Sequence, residues 1–392
     1  MQNLLFWCAR CVGLFYPLAQ AFGVRERLWG PWNPQGVVWM HGASLGECRL
    51  LLEVIRTLEV QPILLTTQKV EVKKFLQKSL PSHVQICLAP GDHPQIMERF
   101  FASGTPRCLV LCENELWPSW IDACQKRQVP VVLISGRMTQ KAFDRWRRWG
   151  ATELSLALHT LDAIWIQDVE SAKRFAYFAP RHMQISGDWK WLGVEPSEGK
   201  DWGARSIDLA LISVHQEEWK FLEEGILKHI EFGGDCVLVP RIPAHAQWFR
   251  RKLKKQGCPV VDWPDHCRGA VSLVSQFGMV QQVLGDSRLA LVGGSFCALG
   301  VHNFREPLLQ GVPVLVGPQS GTQEAEITRL ETEGVLRRIE DLSLVCIGRE
   351  GRDLWVSGWF PWEACLHIKK TIEMSRHSSQ RALSELVKLL AR

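Results

Sequence analysis

The chain has 392 residues, of which 46% are hydrophobic and 22% charged, and its formal net charge is +5. This length suggests two or three domains, and the composition excludes a disordered chain, a coiled coil and a collagen-like fibre. The basic excess is too small for a nucleic-acid-binding protein, but it suits an anionic substrate or an anionic membrane surface. The 13 cysteines have irregular spacing, which predicts a reducing compartment rather than a disulfide framework.

The N-terminal segment is apolar. Residues 4–24 are interrupted only by Arg10 and Gln20, and Arg25 and Arg27 follow directly. With these interruptions the segment is borderline for a membrane span, and it lacks the basic start of a signal peptide. Cations beside an apolar helix favour the cytoplasmic lipid face. We therefore predict that residues 1–24 associate with a membrane; the alternative is a helix buried in the first domain.

Short apolar runs alternate with helical stretches from residue 35 onward. The runs in the first half are 37–40, 62–66, 84–88, 108–112, 131–134, 163–166 and 184–185. Strands of this length, separated by helices, indicate a parallel sheet covered on both faces. We predict that residues 25–192 form the first doubly wound domain.

The same alternation restarts after a polar stretch. The second set of runs is 208–212, 236–239, 259–261, 271–274, 289–292, 313–316 and 335–338. We predict a linker at 193–207, a second doubly wound domain at 208–375 and a C-terminal helix at 376–392. Two such domains facing each other would leave a cleft at the carboxyl ends of both sheets, where ligands bind in this fold class.

Carboxylates follow two strands of the first domain. Glu47 comes after a glycine-containing turn at the start of a helix, where it is either a cap or a base that accepts a proton from a hydroxyl. Glu113 and Glu115 are two residues apart, so both could face the cleft or solvent; we expect only one to touch a substrate. Lys190 follows the last run and could equally be a solvated lysine.

The second domain carries a candidate phosphate site. Gly293 and Gly294 follow a strand, and a helix begins near Asn303, whose free N–H groups would suit a phosphate. Glu306 could take the hydroxyls of a ribose, and Arg241 lies in a proline-flanked turn suited to phosphate. The sequence has neither a P-loop nor a GxGxxG motif, which disfavours P-loop NTPases and nicotinamide-binding domains. It also lacks an Asp-x-Asp after a strand, which argues against a bound metal ion.

Taken together, these motifs resemble the 3-deoxy-D-manno-octulosonic acid (Kdo) transferases, which add Kdo from CMP-Kdo to the lipid A precursor. The resemblance runs from the GVRERL segment at residue 23 to about residue 340. HGASLGE at 41–47, TT at 66–67, ENELWP at 113–118, SGR at 135–137, GDWK at 187–190 and SVH at 213–215 match family segments in order. PR at 240–241, GGS at 293–295, HNFREP at 302–307 and GP at 317–318 continue the match.

The resemblance implies a GT-B fold, with an N-terminal acceptor domain and a C-terminal domain that binds the CMP-sugar. It implies the catalytic set Glu47, Glu113 and Lys190, with Glu47 as base. The donor-binding residues that it implies are Pro240, Arg241, Phe277, Gly278, Met279, Gly294, Ser295, His302, Asn303, Phe304, Arg305 and Glu306.

Three departures from the family pattern lie on the donor side. Ile242 stands where the family has histidine, Met279 where it has a carboxylate, and Thr322 in a segment shifted by one residue. These changes put the details of donor binding, including donor identity, in question. Because Glu47, Glu113 and Lys190 are all present, the sequence argues against an inactive homologue.

The implied activity is inverting, metal-independent transfer of Kdo to lipid IVA in lipopolysaccharide core biosynthesis, at the cytoplasmic face of the bacterial inner membrane. The expected partners are CMP-Kdo, the lipid A precursor and the membrane surface, with no nucleic acid and no cofactor beyond the donor. Two alternatives stay open: a GT-B enzyme that uses another nucleotide sugar, and a non-catalytic membrane protein that binds lipid A or a nucleotide.

Overall fold

A computed structural model describes residues 23–58, 62–192, 200–347, 354–356 and 358–390. The predicted membrane-associated segment 1–24 therefore lies outside the described residues except for its last two. The chain divides into two compact units. The first contains the described residues before Gly193 together with those from Ser375 onward, and the second runs from residue 200 to Met374.

The first unit is built on a parallel sheet of seven strands in the order β3-β2-β1-β4-β5-β6-β7. The strands are β1 Val38–His41, β2 Ile63–Thr67, β3 Val84–Leu88, β4 Cys108–Cys112, β5 Val131–Gly136, β6 Ala163–Ile166 and β7 Met183–Ile185. The helices are α1 Val24–Trp29, α2 Leu45–Thr57, α3 Val70–Leu76, α4 Pro94–Ala102, α5 Pro118–Gln125, α6 Gln140–Trp149, α7 Ala151–His159 and α8 Val169–Ala176. Strands buried on both faces explain the continuous apolar runs of the sequence.

The second unit also has a parallel sheet of seven strands, in the order β10-β11-β9-β8-β12-β13-β14. Its strands are β8 Ile207–Val214, β9 Cys236–Pro240, β10 Val260–Asp262, β11 Val271–Leu273, β12 Ser287–Val292, β13 Val314–Val316 and β14 Leu336–Arg338. Its helices are α9 Trp219–Glu231, α10 Ala246–Lys255, α11 Val280–Gly285, α12 Arg305–Leu309 and α13 Glu324–Thr332. All fourteen predicted strands are present, which confirms the prediction of two doubly wound sheets.

The chain ends differently from the prediction. A short antiparallel pair, β15 Val345–Ile347 and β16 Leu354–Val356, precedes one long helix, α14 Pro361–Leu390. The sequence predicted a helix only from residue 376. The first half of α14 belongs to the second unit, and the half from Ser375 onward belongs to the first. There, Ala382, Leu383 and Leu386 belong to the apolar core that also contains Met40 of β1 and Trp165 of β6, and their burial stabilises the first unit.

Candidate functional site

The first candidate site lies where the order of the first sheet reverses. β1 pairs with both β2 and β4, so the crossovers leave this point in opposite directions. Loops that diverge at the carboxyl ends of two adjacent strands leave a crevice in which such sheets bind ligands. Glu47 follows β1 and Glu113 follows β4. The topology therefore places these two predicted carboxylates at the switch point of the sheet.

Glu47 caps the helix that follows β1. Its carboxylate accepts the Ser44 N–H at 2.7 Å, and the Ser44 hydroxyl accepts the Glu47 N–H at 3.3 Å, which together form a capping box. Burial raises the pKa of Glu47 to about 7, and the negative charge of Glu113 adds to this rise. A carboxylate with this pKa can accept a proton near neutral pH. The two alternatives of the sequence, cap and base, are thus compatible in one residue.

Glu113 is held in a strained and buried position. Its backbone has a φ of 54°, a left-handed conformation that non-glycine residues rarely adopt, and its side chain is almost fully buried. Lys190 Nζ donates to one carboxylate oxygen, and Arg137 lies 3.4 Å from the other. Strained backbone of this kind costs of the order of 1–3 kcal/mol and is concentrated at functional sites. The structure thus brings Glu113 and Lys190 together, and adds Arg137 as a third charged group.

A polar network positions Lys190. Its backbone N–H bonds the buried carboxylate of Asp188 at 3.0 Å, and the Ser135 hydroxyl donates to the same carboxylate at 3.3 Å. From the C-terminal helix, Ser379 donates to the backbone carbonyls of Ser186 and Asp188. Because these groups are buried and bonded, they fix the turn that carries Lys190.

His41 and Glu115 form a pair that sequence reasoning missed. The His41 Nε2 lies 3.2 Å from Glu115 Oε2, and the Trp117 indole donates to the same oxygen at 3.0 Å. On its other side, the fully buried His41 ring contacts the Thr66 hydroxyl at 3.0 Å. His41 and Trp117 thus orient Glu115, and Thr66 holds the His41 ring from its other side. The signals in the sequence were the position of these residues at or after strand ends and the motif matches at 41–47, 66–67 and 113–118.

The second candidate site lies at the reversal of the second sheet. β8 pairs with β9 and β12 there, and the loops after β8 and β12 carry His215 and His302. The two rings stack, with their Nε2 atoms 2.7 Å apart. At Gly294, φ is 82° and an added Cβ would lie 2.9 Å from the His302 ring, so only glycine permits this approach. Sequence reasoning named His302 but not its pairing with His215.

The surroundings of His302 and Glu306 shift the pKa values of both side chains. Burial, and after it the nearby charge of Arg241 and the His215 imidazole, together lower the pKa of His302 to about 4. His302 is therefore neutral at pH 7, which leaves the exposed Arg241 as the cation beside it. Burial also raises the pKa of Glu306, whose carboxylate accepts a hydrogen bond from Asn303 at 3.5 Å.

Several predicted donor-binding residues have structural contacts in the second unit. The buried Ser295 hydroxyl donates to Val292 and accepts the Gly317 N–H at 2.8 Å, so it joins two loops. Phe304 is fully buried, and the Arg305 guanidinium lies 4.7 Å from the centre of its ring. Pro240 ends β9, directly before Arg241.

The remaining predicted donor-binding residues lie in an exposed turn and at the start of a short helix. Phe277, Gly278 and Met279 form a turn after β11, which β9 separates from β8, and 81% of the Phe277 side chain is exposed. The helix expected to present its N-terminus to a phosphate, α12, has five residues. So short a helix carries a small dipole, and Arg241 is the stronger group for an anion.

No three His, Cys, Asp or Glu side chains of the described residues are grouped so that they could hold a metal ion. Among those residues there is also no helix with the length and hydropathy of a membrane span.

Comparisons with known proteins agree with the motifs. A family model described as 3-deoxy-D-manno-octulosonic-acid transferase (kdotransferase) matches residues 18–192, the part of the chain with Glu47, Glu113 and Lys190. A 3-deoxy-D-manno-octulosonic acid transferase of Aquifex aeolicus is 26% identical over 309 residues, covering 77% of this chain and 82% of that protein. The transferase of the same name from Bordetella pertussis is 28% identical over 307 residues, covering 72% of this chain and 71% of that protein. The resemblance therefore extends over most of the chain.

The chain is also similar in fold to solved structures. The crystal structure of MurG from Acinetobacter baumannii matches with a TM-score of 0.53 at 10% identity, covering 91% of this chain and 99% of that one. At this identity the likeness shows architecture only. Together with the two seven-stranded sheets, it confirms the GT-B fold that the motifs implied.

Proposed function

We propose that this chain, a GT-B glycosyltransferase that resembles the Kdo transferases over most of its length, transfers Kdo from CMP-Kdo to a lipid A precursor. The observation that carries the proposal is the grouping of Glu47, Glu113 and Lys190 at the switch point of the first sheet. These are the residues that the family resemblance nominates for catalysis. The family model also covers the same unit.

The proposed reaction is an inverting displacement. A hydroxyl of the acceptor attacks C2 of Kdo, a C2–O bond forms, and the bond from C2 to the phosphate oxygen of CMP breaks. Glu47 takes the proton of the attacking hydroxyl, a role supported by its pKa of about 7. Negative charge then builds on the departing CMP, while positive charge builds on the sugar.

Fixed charges would stabilise both ends of this transition state. In the second unit, Arg241 would meet the phosphate of CMP, and Glu306 would hold the ribose hydroxyls. In the first unit, the buried Glu113 carboxylate, neutralised in the resting enzyme by Lys190 and Arg137, would face the developing positive charge of the sugar. No step of this scheme uses a metal ion.

The proposed setting is the cytoplasmic face of a bacterial inner membrane. A lipid A precursor is embedded in a membrane and anionic, and the chain combines a basic excess with an apolar sequence at residues 4–24. Both features suit an enzyme that works at a membrane surface.

A direct assay tests the proposal. The purified protein is incubated with lipid IVA and CMP-Kdo, and the mass of the lipid is measured before and after. We expect added mass of one or more Kdo residues with the wild type, and product formation that is at least about a hundredfold slower with Glu47→Gln. An unchanged lipid mass with wild type, despite CMP binding, would instead support a non-catalytic binding protein.

The donor-side departures at Ile242, Met279 and Thr322 make a second donor worth testing. The same acceptor is therefore offered UDP-GlcNAc in parallel, with donor depletion as the measurement. We expect depletion of CMP-Kdo alone. Depletion of UDP-GlcNAc alone would assign the chain to the other GT-B activity.

A further inference from the structure

Helix α6 of the first unit has an apolar inner face and a basic outer face. Its inner side is apolar: Ala142 is buried, and Phe143 and Trp146 pack against the core. Its outer side presents Lys141 and Arg145 one turn apart, with Arg148 on the next turn. Residues at i, i+4 and i+7 share one face of a helix, so the three cations form a stripe.

These three cations have no partner among the residues that the structure describes. In the part of the chain that the structure describes, Lys141, Arg145 and Arg148 make neither an ion pair nor a hydrogen bond. Their neighbour Arg147 behaves differently, since it lies 3.7 Å from Asp144 and over the ring of Phe143. Like charges on adjacent turns of a helix repel one another, so the three cations lower the stability of the helix on its own. An anionic partner outside the protein would relieve this repulsion.

A tryptophan ends the stripe. Trp149 follows Arg145 by one turn, and 79% of its side chain is exposed. Indole rings combine an apolar body with a polar N–H and are enriched where lipid headgroups meet hydrocarbon. Cations beside an exposed indole therefore match an anionic lipid surface better than they match water or a polar protein surface.

We propose that the outer face of α6, formed by Lys141, Arg145, Arg148 and Trp149, binds anionic phospholipid headgroups at a membrane surface. The guanidinium and ammonium groups donate to headgroup phosphates, and the indole enters the interfacial layer. The inference deepens the proposed function and rests on its lipid-linked acceptor. It adds a docking surface in the folded first unit to the apolar segment at the N-terminus, and stable peripheral binding needs two such signals.

Helix α10 in the second unit supplies a matched control. Its Lys254 and Lys255 are also exposed and make no ion pair among the described residues. The variant Arg145→Glu/Arg148→Glu and the variant Lys254→Glu/Lys255→Glu change the net charge by the same amount. A difference in vesicle binding between the two variants is therefore caused by the position of the changed charges, because the net charge of the two proteins is the same.

The test is sedimentation of the full chain with vesicles of phosphatidylcholine alone or of phosphatidylcholine mixed with phosphatidylglycerol. The measured quantity is the ratio of the two affinities, because the apolar segment contributes to both. Each cation near an anionic surface adds several-fold in affinity. We expect Arg145→Glu/Arg148→Glu to lower the ratio at least about tenfold. The α10 variant should retain the ratio, and Trp149→Ala should weaken binding to the mixed vesicles.

Three outcomes would overturn the proposal: an unchanged ratio in the α6 variant, an equal loss in the α10 variant, or no effect of Trp149→Ala. Melting temperatures and turnover on a detergent-dispersed acceptor are measured for every variant, and both should match those of the wild type. The vesicles contain neither donor nor acceptor. Failure of Kdo transfer therefore shows in the turnover assay alone, and failure of the docking surface shows in the vesicle assay alone.

Discussion

The Glu47 carboxylate lies 2.7 Å from the backbone nitrogen of Ser44, the residue that begins its own helix. The same carboxylate is close enough to Glu113, which follows the adjacent strand β4, for the charge of Glu113 to raise its pKa. A residue that is held in this way needs little reorganisation before it accepts a proton. The capping contact is thus part of how the proposed base is positioned.

Replacement of Glu47 by Gln should separate catalysis from stability. Gln can still accept the Ser44 N–H but cannot take a proton, so we expect kcat to fall at least about a hundredfold. The melting temperature should stay within a few degrees of wild type, and CMP should still bind. As the control, Ser44→Ala removes the cap hydroxyl and should cost about 1 kcal/mol of stability with little change in kcat. Near-normal kcat in Glu47→Gln would move the base elsewhere, with Glu113 next.

The pH dependence of kcat should follow Glu47. Its pKa of about 7 means that the base form, and with it kcat, increases as the pH rises through 7. Glu115 contributes to this raised pKa by its negative charge, so Glu115→Gln should move the rise to lower pH. A pH–rate profile of both proteins checks this. If kcat rises over the same pH range in wild type and in Glu115→Gln, the assignment of this rise to Glu47 is contradicted.

The same raised pKa has a consequence for stability. A carboxyl whose pKa is higher in the folded than in the unfolded chain binds more protons when folded between about pH 4.5 and 7. Its stabilising contribution is therefore complete at low pH and is lost as the pH rises through this window. Compared with wild type, Glu47→Gln should lose less stability between pH 5 and pH 8. Parallel melting curves of both proteins at the two pH values measure this difference.

Removing one partner of the Glu113–Lys190 ion pair should lower the free energy of unfolding. Lys190→Met leaves a buried carboxylate with Arg137 as its remaining ion-pair partner, and we expect a loss of about 1–3 kcal/mol in the free energy of unfolding. The double variant Glu113→Gln/Lys190→Met should recover part of this stability, while activity stays lost. Urea unfolding and turnover of the three proteins test it; full activity in Lys190→Met would exclude Lys190 from the mechanism.

Replacement of Arg241 should change both the affinity for CMP and the pKa of His302. Arg241→Ala should weaken CMP binding roughly ten- to a hundredfold, because a charge-assisted contact to phosphate is lost. It should also raise the pKa of His302, because the charge of Arg241 helps to keep that pKa low. Calorimetry measures the first effect and NMR titration of His302 the second. If the pKa of His302 rises while the affinity for CMP is unchanged, Arg241 lies beside the His302 ring but away from the phosphate of CMP.

The sequence alone determined the architecture and the main candidates. Apolar runs of four to six residues, separated by amphipathic stretches, have few physical solutions other than parallel strands under helices, and all fourteen strands were found. Polar residues directly after strands fall at the carboxyl edge of such a sheet. Glu47, Glu113 and His302 could therefore be named from position and from the family resemblance.

Only the tertiary structure decided which of these residues meet. The ion pair of Lys190 with Glu113 joins residues 77 positions apart, and the His215–His302 contact spans 87. The turn before Lys190 is fixed by Ser379 of α14, a helix whose start the sequence placed at residue 376 instead of Pro361. Periodicity reports which face of an element is buried, because burial repeats along the chain. Strand order and the packing of distant segments leave no such repeat, so pairings and the raised pKa of Glu47 emerge only when the chain is folded.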